Sequence, residues 1–144
     1  MAGATTSCEA LCTDGTLVFG NDDNEQNKIH AWSISNAANS FVANHQWTVS
    51  LPGGRIRGFS YSSGYLYAWA VGAGVSSNRS VYAVRVSDQT VFDTGVDVPG
   101  LEKGYGTIRS DRLLMAVTVD NVHVWDLLNP TNAQASSMDS YTNS

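Results

Sequence analysis

Oxygen-bearing side chains crowd one segment of the chain, Asn21-Asp22-Asp23-Asn24-Glu25-Gln26-Asn27. Calcium loops place acidic or amide groups at alternate positions, as Asp22, Asn24 and Gln26 could. The segment lacks the sharp-turn glycine and has no Glu at the EF-hand spacing, so a solvated hairpin loop is the plainer reading. His30 and His123 occupy matching places in two similar strands, with Tyr82 in the same slot of a third. That equivalence reads as half-buried strand residues rather than metal ligands, and His45 stands alone. Cys8 and Cys12 would lie about 13 Å apart in an extended strand, beyond disulfide reach. With no second cysteine pair to complete a zinc site, two buried free thiols are expected. The sequence therefore predicts no metal and no cofactor.

Catalytic constellations are equally sparse. There is no Gly-x-Ser-x-Gly elbow, no paired carboxylates, no Cys–His arrangement and no phosphate-binding loop. Gly72-Ala73-Gly74 does not open a helix and reads as a hairpin connection. Candidate partner-binding residues are Arg55, Arg57, Lys103 and Tyr105, which fall in or near the connections between repeated units. Asn78-Arg79-Ser80 fits a glycosylation sequon, idle if the chain stays inside the cell.

Composition narrows the partners. The chain has 144 residues, enough for one domain with a sizeable core; 42% are hydrophobic and 15% charged, which marks a globular protein rather than a disordered one. The net charge of −5 disfavours nucleic acid and anionic membranes, both of which attract a basic excess. No stretch reaches the roughly 18 apolar residues of a membrane span. Met1 to Thr6 has neither a positive n-region nor an apolar h-region, so a soluble, intracellular and cytoplasmic protein is expected.

The elements that must position these residues are short strands. Runs of Val, Ile, Tyr, Trp and Thr alternate with clusters of Gly, Asn, Asp and Ser. No window carries a capped 3.6-residue apolar stripe, so helix should be scarce. Turns are expected at Asp14-Gly15, Ser62-Ser63-Gly64 and Ser87-Asp88-Gln89. The strand Ile29-His30-Ala31-Trp32-Ser33-Ile34 returns as Val81-Tyr82-Ala83-Val84-Arg85-Val86 and again as Val122-His123-Val124-Trp125-Asp126-Leu127. An earlier strand echoes likewise, from Leu17-Val18-Phe19 to Leu66–Ala70 to Leu113–Val117. Self-similarity at roughly 40–50 residues predicts an all-β fold, a β-propeller-like array of about three four-stranded antiparallel blades. The blades fall at about 5–52, 55–100 and 104–130, with a polar C-terminal tail over 131–144. Apolar residues on both faces of the repeated strands fit sheets stacked between neighbours, with a β-sandwich as the competing architecture.

At Val122-His123-Val124-Trp125-Asp126-Leu127 the chain resembles the close of a WD-repeat blade, where a Trp-Asp pair ends the third strand. Ile29–Ile34 is a degenerate copy with Ser33 in place of the Asp, and the Gly-His pair of such blades is absent. Asp14–Gly20 followed by Ile29–Trp32 also looks like repeats of the quinoprotein type. Closed propellers have about four to eight blades. The resemblance therefore implies an interaction or scaffold module that completes a ring with itself or with another polypeptide. Two alternatives accompany it. One is a carbohydrate-binding propeller lectin, with Trp47, Trp69 and Tyr105 stacking on sugars; the other is a fragment of a quinoprotein-type enzyme.

Overall fold

Tight turns set the strand pairing. In the computed structural model, Asp14 Oδ1 accepts hydrogen bonds from the backbone N–H groups of Thr16 at 2.8 Å and Leu17 at 2.7 Å. Gly15, at φ +92°, supplies the left-handed residue that reverses the chain. Ser63 and Gly64 both have positive φ, 48° and 87°, the signature of the two-residue hairpin turn that matches strand twist. After Arg85 the chain turns through a backbone bond from Gln89 N to Arg85 O at 2.8 Å. An ion pair of Arg85 with Asp88, also 2.8 Å, fastens this turn. The structure describes residues 10–22, 24–37, 40–52, 54–71, 78–99, 105–109, 113–117, 121–126 and 138–142.

Among the described residues, twelve strands fall into three antiparallel sheets. The first contains β1 (Leu11–Thr13), β2 (Leu17–Asp22), β3 (Glu25–Ala37) and β4 (Ser40–Ser50), paired in chain order. The second contains β5 (Arg55–Ser62), β6 (Tyr65–Val71), β7 (Asn78–Arg85) and β8 (Val91–Pro99), again in chain order. The third, described by its backbone, contains β9 (Tyr105–Arg109), β10 (Leu113–Val117), β11 (Asn121–Asp126) and β12 (Met138–Thr142). Met138–Thr142 falls in the stretch whose composition suggests a polar tail, yet it pairs with β11 from Trp125↔Met138 to Asn121↔Thr142. Polar residues suffice for an edge strand, where the backbone ladder does the holding.

One core joins the first two sheets. Phe19, Ile29 and Ala31 project from β2 and β3, and meet Ile56, Phe59, Leu66, Ala68, Ala70 and Val84 of the second sheet. Leu51, in the connection, joins them; its N–H donates to Asn27 O at 2.8 Å and its carbonyl accepts from Asn27 Nδ2 at 3.1 Å. Among the described residues, Phe19 is the largest of the fully buried side chains. Its ring lies 5.7 Å from Trp47 of its own sheet and 6.4 Å from Tyr61 of the facing one.

This arrangement corrects the expected architecture. The four-stranded sheets are separate and unclosed, and the first two pack face to face in the manner of a β-sandwich. The chain is all-β, but it is neither a β-propeller array nor a WD-repeat or quinoprotein-like one. The reading of a module that completes a propeller ring by association falls with it. The physical reason is that a repeat of roughly 40–50 residues records a four-stranded antiparallel meander. It does not record how successive meanders are placed around an axis. The doubly apolar pattern also divides between the sheets. On β7, Val81, Ala83 and Val84 are all fully buried, so both faces are covered. On β3, Ile29 and Ala31 are buried while His30 and Trp32 are only half-buried and Ile34 is exposed, so the first sheet has an open outer face.

Among the described residues the buried polar side chains are Asn21, Ser62 and Thr94, and Asn21 and Thr94 hold backbone groups. Asn21 is 1% exposed. Its Oδ1 accepts from Ala10 N at 2.8 Å, and its Nδ2 donates to Ile56 O at 3.5 Å, bridging the sheets. Thr94, equally buried, donates to Val81 O at 2.7 Å, where the β7–β8 register slips between Ser80 and Tyr82. Replacing Asn21 with leucine keeps the branched outline of the side chain and removes its hydrogen bonds to Ala10 N and Ile56 O. The expected cost is about 1–3 kcal/mol, the price of an unsatisfied buried group, read as a lowered urea midpoint with an unchanged m-value.

Candidate functional site

The outer face of the first sheet gathers its titratable and aromatic side chains around one hydroxyl. The strand period of two places His30 and Trp32 on the face opposite Ile29 and Ala31. On β4 the partner of His30 is Thr48, and the partner of Ala31 is Trp47. The register then slips: Trp32 faces His45, and Gln46 has no partner on β3. A regular ladder would set Gln46 opposite Trp32 and turn His45 to the core side. The bulge brings His45 to the outer face instead. Gln46 Nε2 steadies the bulge by donating to Ser33 Oγ at 2.9 Å and to Asn44 O at 3.1 Å.

The result is a cluster of three rings. His30 and Trp32 stack with centroids 5.6 Å apart, His30 and His45 lie 5.9 Å apart, and His45 meets Trp32 edge-on at 6.3 Å. Thr48 Oγ1 sits 2.9 Å from His30 Nδ1 and 2.9 Å from His45 Nε2. A hydroxyl carries one proton, so it donates to one ring and accepts from the other. The other nitrogen of His30, Nε2, lies 3.4 Å from Glu25 Oε2, and Glu25 Oε1 is held by Lys28 Nζ. Burial lowers the His30 pKa; Glu25 pulls the other way and His45 adds to the lowering. The ring is thus favoured in its neutral form, with one nitrogen able to accept.

The residues singled out in the sequence are used otherwise. Of the oxygen-rich loop, Asn21 is spent inside the core, Asp22 Oδ1 caps Asn24 N at 2.8 Å, Glu25 pairs with Lys28 and Asn27 holds Leu51. Among the described residues, no group of three or more His, Cys, Asp or Glu side chains is placed to hold a metal. Cys12 is a free, half-buried thiol whose pKa is pushed up to about 12, by burial first and by Asp14 second, so it is a poor nucleophile; Cys8 lies outside the described residues. Trp69 is 6% exposed against Gly58, and Trp47 packs on Phe19, so neither is a sugar platform. Arg55 and Arg57 stand half-buried on β5, with Arg57 at a register slip between Ile56 and Gly58. Tyr105 opens β9, which runs beside β5, and Lys103 lies outside the described residues.

Sequence reasoning missed Trp32, His45, Thr48 and Glu25 as a group. Alternation alone could have placed His30 and Trp32 on one face. Nothing in the local sequence announces the bulge that adds His45. Among the described residues no helix is long and apolar enough to cross a membrane. Compared with known proteins, the chain matches no family model and no curated sequence.

Proposed function

We propose that this chain is a non-catalytic carbohydrate-binding module whose platform is the outer face of the first sheet. One observation carries the reading: Trp32 stands half-exposed in a ring cluster bordered by hydrogen-bonding side chains. The C–H groups of a sugar ring carry partial positive charge and seat on the negative face of an indole. Its hydroxyls then need donors and acceptors at the platform's edge. Thr48, His30 and His45 on the same face supply both kinds, since a hydroxyl and an imidazole each donate and accept. The alternative aromatic set of Trp47, Trp69 and Tyr105 loses its first two members to the core.

A glycan array followed by titration calorimetry tests this. Trp32→Ala is expected to weaken binding of a captured glycan at least tenfold, and Trp32→Phe less, with the melting temperature little changed because the ring is only half-buried. An array with no reproducible ligand, or a Trp32→Ala variant that binds as tightly as the original, would sink the proposal.

A further inference from the structure

We propose that His30 and His45 form an open surface site for a borderline divalent transition-metal ion, of the class of Zn(II) and Cu(II). Two imidazole nitrogens on adjacent strands, His30 Nδ1 and His45 Nε2, converge on the same point, each 2.9 Å from Thr48 Oγ1. Small side-chain rotations bring both to the roughly 2.0–2.1 Å of a metal–imidazole bond. The hydroxyl they now share is a weak, displaceable partner. Two protein ligands leave the remaining positions to water, as in exchangeable rather than structural sites.

The surroundings of His30 supply a second, independent argument. Metal-bound histidines usually donate their other ring N–H to a carboxylate, which fixes the tautomer and raises the basicity of the ligating nitrogen. His30 stands one small rotation from that arrangement: Nε2 lies 3.4 Å from Glu25 Oε2 without a hydrogen bond between them, while Nδ1 points at Thr48. Lys28 holds the carboxylate in place from the other side. The site is rigid where it must be, since both histidines stand on paired strands rather than on loops. Imidazole ligands select Cu, Ni and Zn over Mg and Ca, which prefer carboxylate and water oxygen.

The inference does not depend on the glycan reading and is tested without any sugar. The whole chain is titrated with ZnCl2 and with CuCl2 by calorimetry at pH 7.5. One saturable ion per chain is expected, with Cu(II) bound more tightly than Zn(II) and no competition from a large excess of Mg(II). His45→Ala and His45→Gln should each weaken binding at least tenfold; two variants of an exposed residue guard against a folding artefact. Glu25→Gln should weaken it by about tenfold through His30, while His123→Ala should bind as the original does. Cu(II) should also quench part of the tryptophan fluorescence because Trp32 is in ring contact with both ligands. Trp32→Phe should remove that quenching and keep the heat of binding. No saturable binding, or binding that survives both His45 variants unchanged, would overturn the proposal.

Discussion

Alanine at position 58 is expected to destabilise the protein by about 3 kcal/mol, although it adds a single methyl group. A Cβ built on Gly58 would stand 2.2 Å from Cζ2, 2.5 Å from Cε2 and 2.8 Å from Nε1 of Trp69. Gly58 and Trp69 are register partners on β5 and β6, so the indole lies directly over the bare glycine backbone. Trp69 cannot swing aside cheaply, because it is 6% exposed and its neighbours Ala68 and Ala70 are also buried. Overpacking a tight core forces off-rotamer side chains or backbone shifts, each costing about 1–3 kcal/mol. This contact is closer than either adjustment alone relieves. Urea unfolding followed by fluorescence measures the loss. Pairing Gly58→Ala with Trp69→Leu should recover part of it, giving a double-mutant coupling of about 1 kcal/mol or more. A Gly58→Ala variant within about 0.5 kcal/mol of the original would mean the indole is free to move.

Truncating Phe19 to alanine should cost about 3–5 kcal/mol, the range for removing a fully buried aromatic ring. Its position sets the magnitude at the upper end. The ring is 0% exposed and touches both Trp47 and Tyr61, so it fills the seam between the sheets rather than one sheet's interior. The cavity left behind is bounded by two paired ladders that cannot collapse without sliding past each other. Phe19→Leu retains most of the apolar volume and should cost about 1–2 kcal/mol. Near-UV circular dichroism should change more for Phe19→Ala than for Phe19→Leu, since Trp47 loses its fixed neighbour. Equal costs for the two variants would show that the seam repacks, and that the sheets are less firmly docked than their shared core implies.

The sequence made local structure legible and left assembly obscure. Asp14-Gly15 and Ser63-Gly64 could be placed as turns because side-chain capping and positive φ are properties of a few adjacent residues. The strands Ile29–Ile34 and Val81–Val86 were visible as repeated apolar runs, and both lie within or across strands of the structure. Their different burial was not visible. Val84 and Trp32 hold equivalent places in the repeat, yet one is sealed and the other half-open, because burial depends on what the second sheet covers. The same limit hid the ring cluster. Trp32 shares its place in the repeat with the buried Val84, His45 stands alone in the sequence, and only the pairing of β3 with β4 brings them together. Met138–Thr142 failed for the opposite reason: its polar composition carries no strand signal, and its partner β11 supplies the order.

The unpaired Gln46 gives the first sheet an unusual relation to change in its own gene. Substitutions on the outer face leave the alternation of inward and outward residues intact and should be absorbed readily. A change in length is another matter. Removing Gln46 would close the bulge and leave every other β4 residue opposite its present β3 partner. Removing a residue of β4 further from the bulge would instead shift the residues between the gap and the bulge by one place, core side for solvent side. The face carrying the histidines and Trp32 can therefore drift in chemistry while its spacing is held fixed, so variation in related chains should appear here as replacement, with loss of length confined to the bulge itself.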